Sequence, residues 1–332
     1  WNYAPNGSDQ ITGAPWDAKA SIYTVAGPGR IGSTYTKSVY REYTDATFTT
    51  LKPRAAADAY LGILGPVIRA QVGDTLRLVF RNNTSFSASI HVHNLRFTKA
   101  NEGAPYNDGT TGADKLDDAV APGTTYTYSF PVETRAGPGP GDGSSVLTMY
   151  HSHTLETADT YSGLIGPMVI AKQGWGKADG SPVDTDQEVF SLFQVWDENT
   201  SLWLDQNMAS MAPDPLLTNT QLKLDPDFIE SNLMHAINGY VYGNGPIPVL
   251  KLNKRARWYL WSMGTERDLH TPHVHGNVWT SSMGMKMDMT GVLPGEMVTM
   301  NMVPDNLGIW LYHCHVNDHL DAGMVTRYQV TV

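Results

Sequence analysis

His313-Cys314-His315-Val316-Asn317-Asp318-His319-Leu320-Asp321-Ala322-Gly323-Met324 is the stretch on which the reading of this chain turns. It holds the only cysteine, which excludes an intrachain disulfide and leaves metal ligation or nucleophilic catalysis as its special roles. On an extended strand successive side chains point to opposite faces. Cys314 then faces one way, and His313 and His315 the other. A metal held by the thiolate and a second metal site held by the imidazoles would be joined by a few covalent bonds, a path for electrons between two centres.

The other histidines point the same way. Ten of the eleven fall in four short clusters: His91 and His93; His151 and His153; His270, His273 and His275; and His313, His315 and His319. One His-x-His pair is weak evidence, because an alternating strand can carry two histidines for no metal reason. Four pairs holding eight of the eleven histidines are strong evidence. His235 stands alone and reads as an ordinary hydrogen-bonded or surface histidine.

A length of 332 residues suggests two domains of ordinary size, and 41% hydrophobic content suffices for real cores. No run approaches the ~20 apolar residues of a membrane span. The 31 glycines and 20 prolines, with Val, Thr and Tyr in alternating runs, describe a turn-rich β protein. A formal net charge of −10 argues against nucleic acid as a partner. The opening at Trp1 suggests a processed or trimmed product, and residues 1–35 carry no signal of their role.

The chain also reads as a duplication. Strand, His-x-His, Pro-Gly turn, strand, His-x-His occurs once around His91, Pro122-Gly123 and His151, and again around His273, Pro294-Gly295 and His313. The offsets between the copies fall from 182 to 172 to 162 residues, as differing loop lengths would produce. The expected fold is all-β, two sandwiches, with domain 1 at 1–172, a Gly- and Asp-rich linker at 173–187 and domain 2 at 188–332.

One thiolate, two imidazoles and a distant thioether make a trigonal copper site with a weak axial ligand. Cys314, His319 and Met324 can fold round one ion, with His270 as the other imidazole. The eight remaining clustered histidines can hold three further ions. In these motifs, taken in order, the chain resembles the two-domain multicopper oxidases of the small-laccase type, relatives of the ceruloplasmin group. Gly103–Gly109 and Asp117–Gly123 are also ceruloplasmin-like.

The resemblance implies two cupredoxin-like Greek-key domains and four copper ions per chain. Type 1 copper falls to His270, Cys314, His319 and Met324, type 2 to His91 and His273, and the type 3 pair to His93, His151, His153, His275, His313 and His315. It further implies a secreted or periplasmic homotrimer with trinuclear sites at subunit interfaces. The chemistry is laccase-like: four one-electron oxidations of phenols or aromatic amines coupled to reduction of dioxygen to two waters. Asp108, and more weakly Asp288, would supply protons.

Two departures stand out. Asn94 replaces the family's glycine after the first pair, and Ser152 replaces a cysteine, so the first domain cannot hold type 1 copper. Three rival functions remain. Asp318 and Asp321 beside His319, with the methionine run 283–302, suit an oxidase of Fe(II) or Cu(I). Copper nitrite reductase is disfavoured by the full histidine set. A copper store or electron carrier would consume no oxygen. Met283, Met285, Met287 and Met289 alternate, so the default is a Met-lined core strand, with a Cu(I)-binding patch as the alternative.

Overall fold

The computed structural model describes residues 1–332. The chain divides into two compact units: Ser38–Arg54 with Leu64–Asp186 form the first, and Trp1–Lys37, Ala55–Ile63 and Gln187–Val332 form the second. The expected split at 172 therefore differs at both ends. Residues 173–186 group with the first unit, and the N-terminal segment belongs to the second.

Buried polar anchoring explains the N-terminal placement. Tyr3 donates to Glu198 Oε1 at 2.5 Å, Tyr35 donates to Asn232 Oδ1 at 2.8 Å, and the Lys37 ammonium meets Glu198 Oε1 at 2.5 Å. Lys37 also lies 4.8 Å from the centroid of the Trp196 ring. Neither the Lys37 nor the Glu198 side chain is appreciably exposed, so each charge depends on the other. This segment has no strand alternation, so its sequence carries no trace of where it packs.

In the first unit a four-stranded sheet runs in the order Ile68–Gln71, Ile165–Ala171, Ser145–His151, His91–Val92. The pair Thr75–Arg81 and Thr125–Pro131 forms a second layer. Val92, Tyr128, Phe130, Tyr150, Met168 and Ile170 are buried in the core of this unit. In the second unit a six-stranded sheet has Met297–Met302 and Ala256–Ser262 at its centre, with Gln187–Asp197 beside them. Its companion sheet runs Pro272–Val274, Gly308–Cys314, Val325–Thr331, Val249–Lys251. Trp196, Trp258, Trp261 and Trp279 are fully buried in this unit.

The duplication holds at the level of register. His91 pairs with His151 and Val92 with Tyr150; His273 pairs with His313 and Val274 with Tyr312. Each His-x-His therefore meets its partner across one antiparallel ladder. The turn after each first pair is also shared. Asn94 has φ 67° and Gly276 has φ 72°. Asparagine is among the few side chains that tolerate this left-handed region, so the departure from glycine leaves the turn intact.

The methionine run differs from its expected core role. Residues 279–287 form a hairpin of two short strands, Trp279–Ser281 and Lys286–Met287, rather than one strand. Met283, Met285 and Met289 are 75%, 51% and 38% exposed. Alternation placed them on a common face, but that face is not covered within the unit.

Replacing Lys37 by Ala strands a buried carboxylate, and should destabilise the second unit by about 3–5 kcal/mol in urea unfolding. A cost below about 1 kcal/mol would show that the pair does not anchor the N-terminal segment.

Candidate metal centre

The second unit builds a buried sulfur–nitrogen site. Cys314 ends its strand and His319 lies in the short helix Asn317–Asp321 that follows. His270 Nδ1 and His319 Nδ1 are 3.1 Å apart, and Cys314 Sγ lies 3.8 and 3.7 Å from them. All three residues are buried. The far side of His270 is fixed: its Nε2 meets Asp268 Oδ1 at 3.1 Å, and that oxygen also accepts Val195 N–H at 2.7 Å. A carboxylate on Nε2 holds the proton there and leaves the Nδ1 lone pair directed inward. The sulfur accepts the backbone N–H of Thr271 at 3.4 Å, although burial still pushes the thiol pKa up. The carbonyl of the fully buried Met324 accepts Cys314 N–H at 3.0 Å, which brings that residue alongside.

Two sets of four imidazoles lie one in each unit. His91, His93, His151 and His153 have neighbouring ring centroids 5.1–5.6 Å apart. For His273, His275, His313 and His315 the spacing is 4.6–5.6 Å. In each set, three histidines bring ligand nitrogens within 4.8 Å of one another: His91, His93 and His151, and His273, His275 and His313. His153 and His315 complete the sets at their edges, and His153 Nε2 faces Glu156 at 3.2 Å.

The donor chemistry fits metal. His91 Nδ1 donates to Glu102 O at 2.6 Å, His151 Nδ1 to Ser152 O at 2.9 Å, and His313 Nδ1 to Cys314 O at 2.8 Å. Each ring spends its proton on a backbone carbonyl, which leaves a bare Nε2. Two of these point at a neighbouring nitrogen: His151 at His93, 3.0 Å away, and His313 at His275, 3.1 Å away. His273 Nδ1 is buried without a hydrogen-bond partner. Converging lone pairs and an orphaned ring nitrogen are what a soft or borderline cation satisfies.

The expected proton donors fare differently. Asp108 is gripped by Lys115 at 2.8 Å and Lys99 at 3.1 Å. Lys115 first, and then Thr110, hold its carboxyl well below the usual range, so it stays ionised. Asp288 Oδ2 lies 3.5 Å from His273 Nε2 on a largely exposed side chain. It lines an open cavity with His273, His275 and Asp305.

His319 also walls a cavity of about 530 Å³ lined by Tyr23, Glu230, His235, Glu266, Arg267 and Asp318, with Lys19 and apolar Leu233, Leu269, Val316 and Ala322. The His235 ring lies 5.3 Å from His319 and 5.7 Å from Tyr23. Tyr23 donates to Glu230 Oε1 at 2.7 Å. Sequence reading passed over Glu230 and took His235 for an ordinary hydrogen-bonded or surface histidine; its ring does meet Leu233 O at 3.0 Å, but inside the cavity wall. A polar ring inside the apolar strand Leu233–Ile237 was the available signal.

Burial lowers the pKa of His151 and His235 to about 3 and of His93 and His319 to about 4. In the unfolded chain these rings take up protons near pH 6.5. The metal-free protein should therefore have its full stability above about pH 6.5 and lose it progressively as pH falls toward 3–4. Urea midpoints at pH 7.5 and 5 check this: equal midpoints would mean that the rings are already protonated in the folded state.

Comparison with known proteins agrees with this donor chemistry. Family models described as multicopper oxidase match residues 42–174 and 210–332. The chain is 39% identical over 99% of its length to mouse "Ferroxidase HEPHL1", and 40% identical over 99% to mouse ceruloplasmin. It spans only 28% and 31% of those two relatives. Among solved structures, the blue copper oxidase of Nitrosomonas europaea aligns with TM-score 0.56 at 19% identity, covering 89% of this chain and 83% of that one. The copper nitrite reductase of the same organism aligns with TM-score 0.58 at 16% identity, covering 90% and 91%. These structural likenesses establish a fold of two cupredoxin-like sandwiches. With both halves matched and every ligand motif in order, the chain belongs to the multicopper oxidase family, a ceruloplasmin-related member.

Proposed function

We propose that this chain is a copper-dependent metal-ion oxidase whose reducing substrate is Fe(II). The observation that carries this reading is the cavity beside His319, where Glu230, Glu266, Asp318 and His235 line one space. Carboxylate oxygens with one imidazole suit a divalent first-row ion such as Fe(II) better than soft Cu(I). Burial keeps His235 neutral at pH 7 and able to ligate. Mouse HEPHL1, similar across this chain, is named a ferroxidase. The metallo-oxidase alternative thus displaces the laccase reading drawn from the sequence. Leu233, Leu269 and Val316 in the same cavity favour small aromatic donors as a second reading.

Copper at the buried sulfur site would accept single electrons, and copper at the imidazole sets would deliver them to dioxygen. The protein's own residues do the rest. His270, Cys314 and His319, with Met324 alongside, would hold the first ion. His319 meets the incoming donor at the cavity wall. Cys314 is covalently continuous with His313 and His315, so the sulfur site and one imidazole set share a backbone. Asp268 and three backbone carbonyls orient the rings.

Four coppers per chain, and trinuclear sites completed between protomers of a homotrimer, belong to this proposal. Three copies of the chain hold about as much sequence as one such relative, and a closed ring of heterologous contacts would join each first-unit set to a second-unit set. An extracytoplasmic location goes with the same reading.

Copper-loaded protein should oxidise Fe(II) with a far lower KM than any phenol or aromatic amine. Glu230→Gln with Asp318→Asn should raise the KM for Fe(II) at least about tenfold, the effect of losing charged ligands at a metal site. Turnover of an aromatic amine should persist. Equal losses with both donors would point to damage at the copper site, and a preference for phenols would restore the laccase reading.

A further inference from the structure

The sulfur site of the second unit has a counterpart in the first, hydrogen bond for hydrogen bond. In the second unit, Cys314 N–H donates to Met324 O, Met324 N–H to His319 O, and Thr271 N–H to Cys314 Sγ. In the first, Ser152 N–H donates to Leu164 O, Leu164 N–H to Asp159 O, and Ser89 N–H to Ser152 Oγ at 3.0 Å. His270 bridges to Val292 as Ala88 bridges to Val120. The four ligand positions are thus occupied by Ala88, Ser152, Asp159 and Leu164, with Asp159 standing where His319 would be.

Those four residues cannot bind copper through sulfur, but they are not inert. Asp159 is fully buried. Its Oδ2 accepts Ser152 Oγ–H at 2.6 Å and Leu155 N–H at 2.9 Å, while Oδ1 has no partner. Ser152 lies between His151 and His153, and its carbonyl accepts the His151 Nδ1 proton at 2.9 Å. His153 N–H donates to Ser89 Oγ at 3.0 Å, and Ser89 Oγ–H donates to Gly103 O at 2.6 Å. Beyond the strand pairing of His151 with His91 and Ile165, the His151-Ser152-His153 run is tied through Ser152 and Ser89, and the side chain of Ser152 ends on Asp159.

We infer that Asp159 is a positioning residue that replaces the lost copper of the first unit: its carboxylate, through Ser152, holds His151 and His153 in the geometry the imidazole set needs. In the second unit His270, Cys314 and His319 converge where they would hold a metal ion. In the first, a hydrogen-bonded carboxylate performs the same closure on the same scaffold. The inference rests on the reading that His151 and His153 are copper ligands.

The test uses the full chain loaded with copper, with wild type beside Asp159→Ala, Asp159→Asn and Ser152→Ala. Copper per chain, the near-ultraviolet absorption expected of paired imidazole-bound coppers and the visible thiolate band are read together. Asp159→Ala should weaken copper at the first-unit histidines about 10- to 100-fold. It should diminish the near-ultraviolet absorption and leave the thiolate band of Cys314 unchanged. Asp159→Asn keeps an acceptor for Ser152 and Leu155 and should restore most of the absorption. Should Asp159→Ala not fold, Ser152→Ala removes the hydroxyl link alone and should show the same selective loss. Wild-type copper content and absorption in Asp159→Ala, or in Ser152→Ala where the former does not fold, would overturn the inference whatever happens to the melting temperature. A wild-type chain that binds no copper beyond the thiolate site would overturn the ligand reading itself, a separate failure.

Discussion

The pairing of Pro272–Val274 with Tyr312–Cys314 is the constraint on which the proposed copper chemistry depends. It sets His273 opposite His313 and puts Cys314 at the end of the ladder beside Pro272. Strand side chains alternate faces, so a slip of one residue would send the thiolate to the imidazole face and the imidazoles to the core. Register is held on the far side by Val325–Thr331, which pairs with the same strand from Gly308 to His313. It is held from within by the buried Tyr312, which meets Phe193 and Trp258 edge-on at 5.5 and 5.2 Å. Chemistry on one face is thus secured by aromatic packing on the other.

Much of this was legible in the sequence because the signals are local. Period-two histidine pairs become cross-strand pairs, and a lone cysteine flanked by histidines becomes a buried thiol at the end of a ladder. The repeated turn chemistry gave the duplication, and even Asn94 for glycine keeps the left-handed turn. What stayed hidden depends on distant contacts. Lys37 and Tyr3 have no periodicity that announces a partner at Glu198, so the N-terminal segment was assigned to the wrong unit. Alternating methionines fix a common face but not what covers it. Asp108 sits in turn chemistry, and only the fold brings Lys115, with Thr110, to hold its carboxyl below the usual range.

The same limit applied to substrate choice. His319 was legible as a ligand, but the cavity outside it gathers Tyr23, Glu230, Glu266 and Asp318 from four separate stretches of chain. On the proposed reading, donor choice rests on what surrounds the ring edge of His319.

That cavity draws Lys19 and Tyr23 from the leading segment, whereas the matched family regions start at residue 42. The cavity beside His319 is thus built partly from chain outside the matched regions, although Glu230, His235, Glu266 and Asp318 lie inside them. On the proposed reading, changes at Lys19 and Tyr23 would alter the wall of that cavity while leaving the histidine and cysteine motifs untouched.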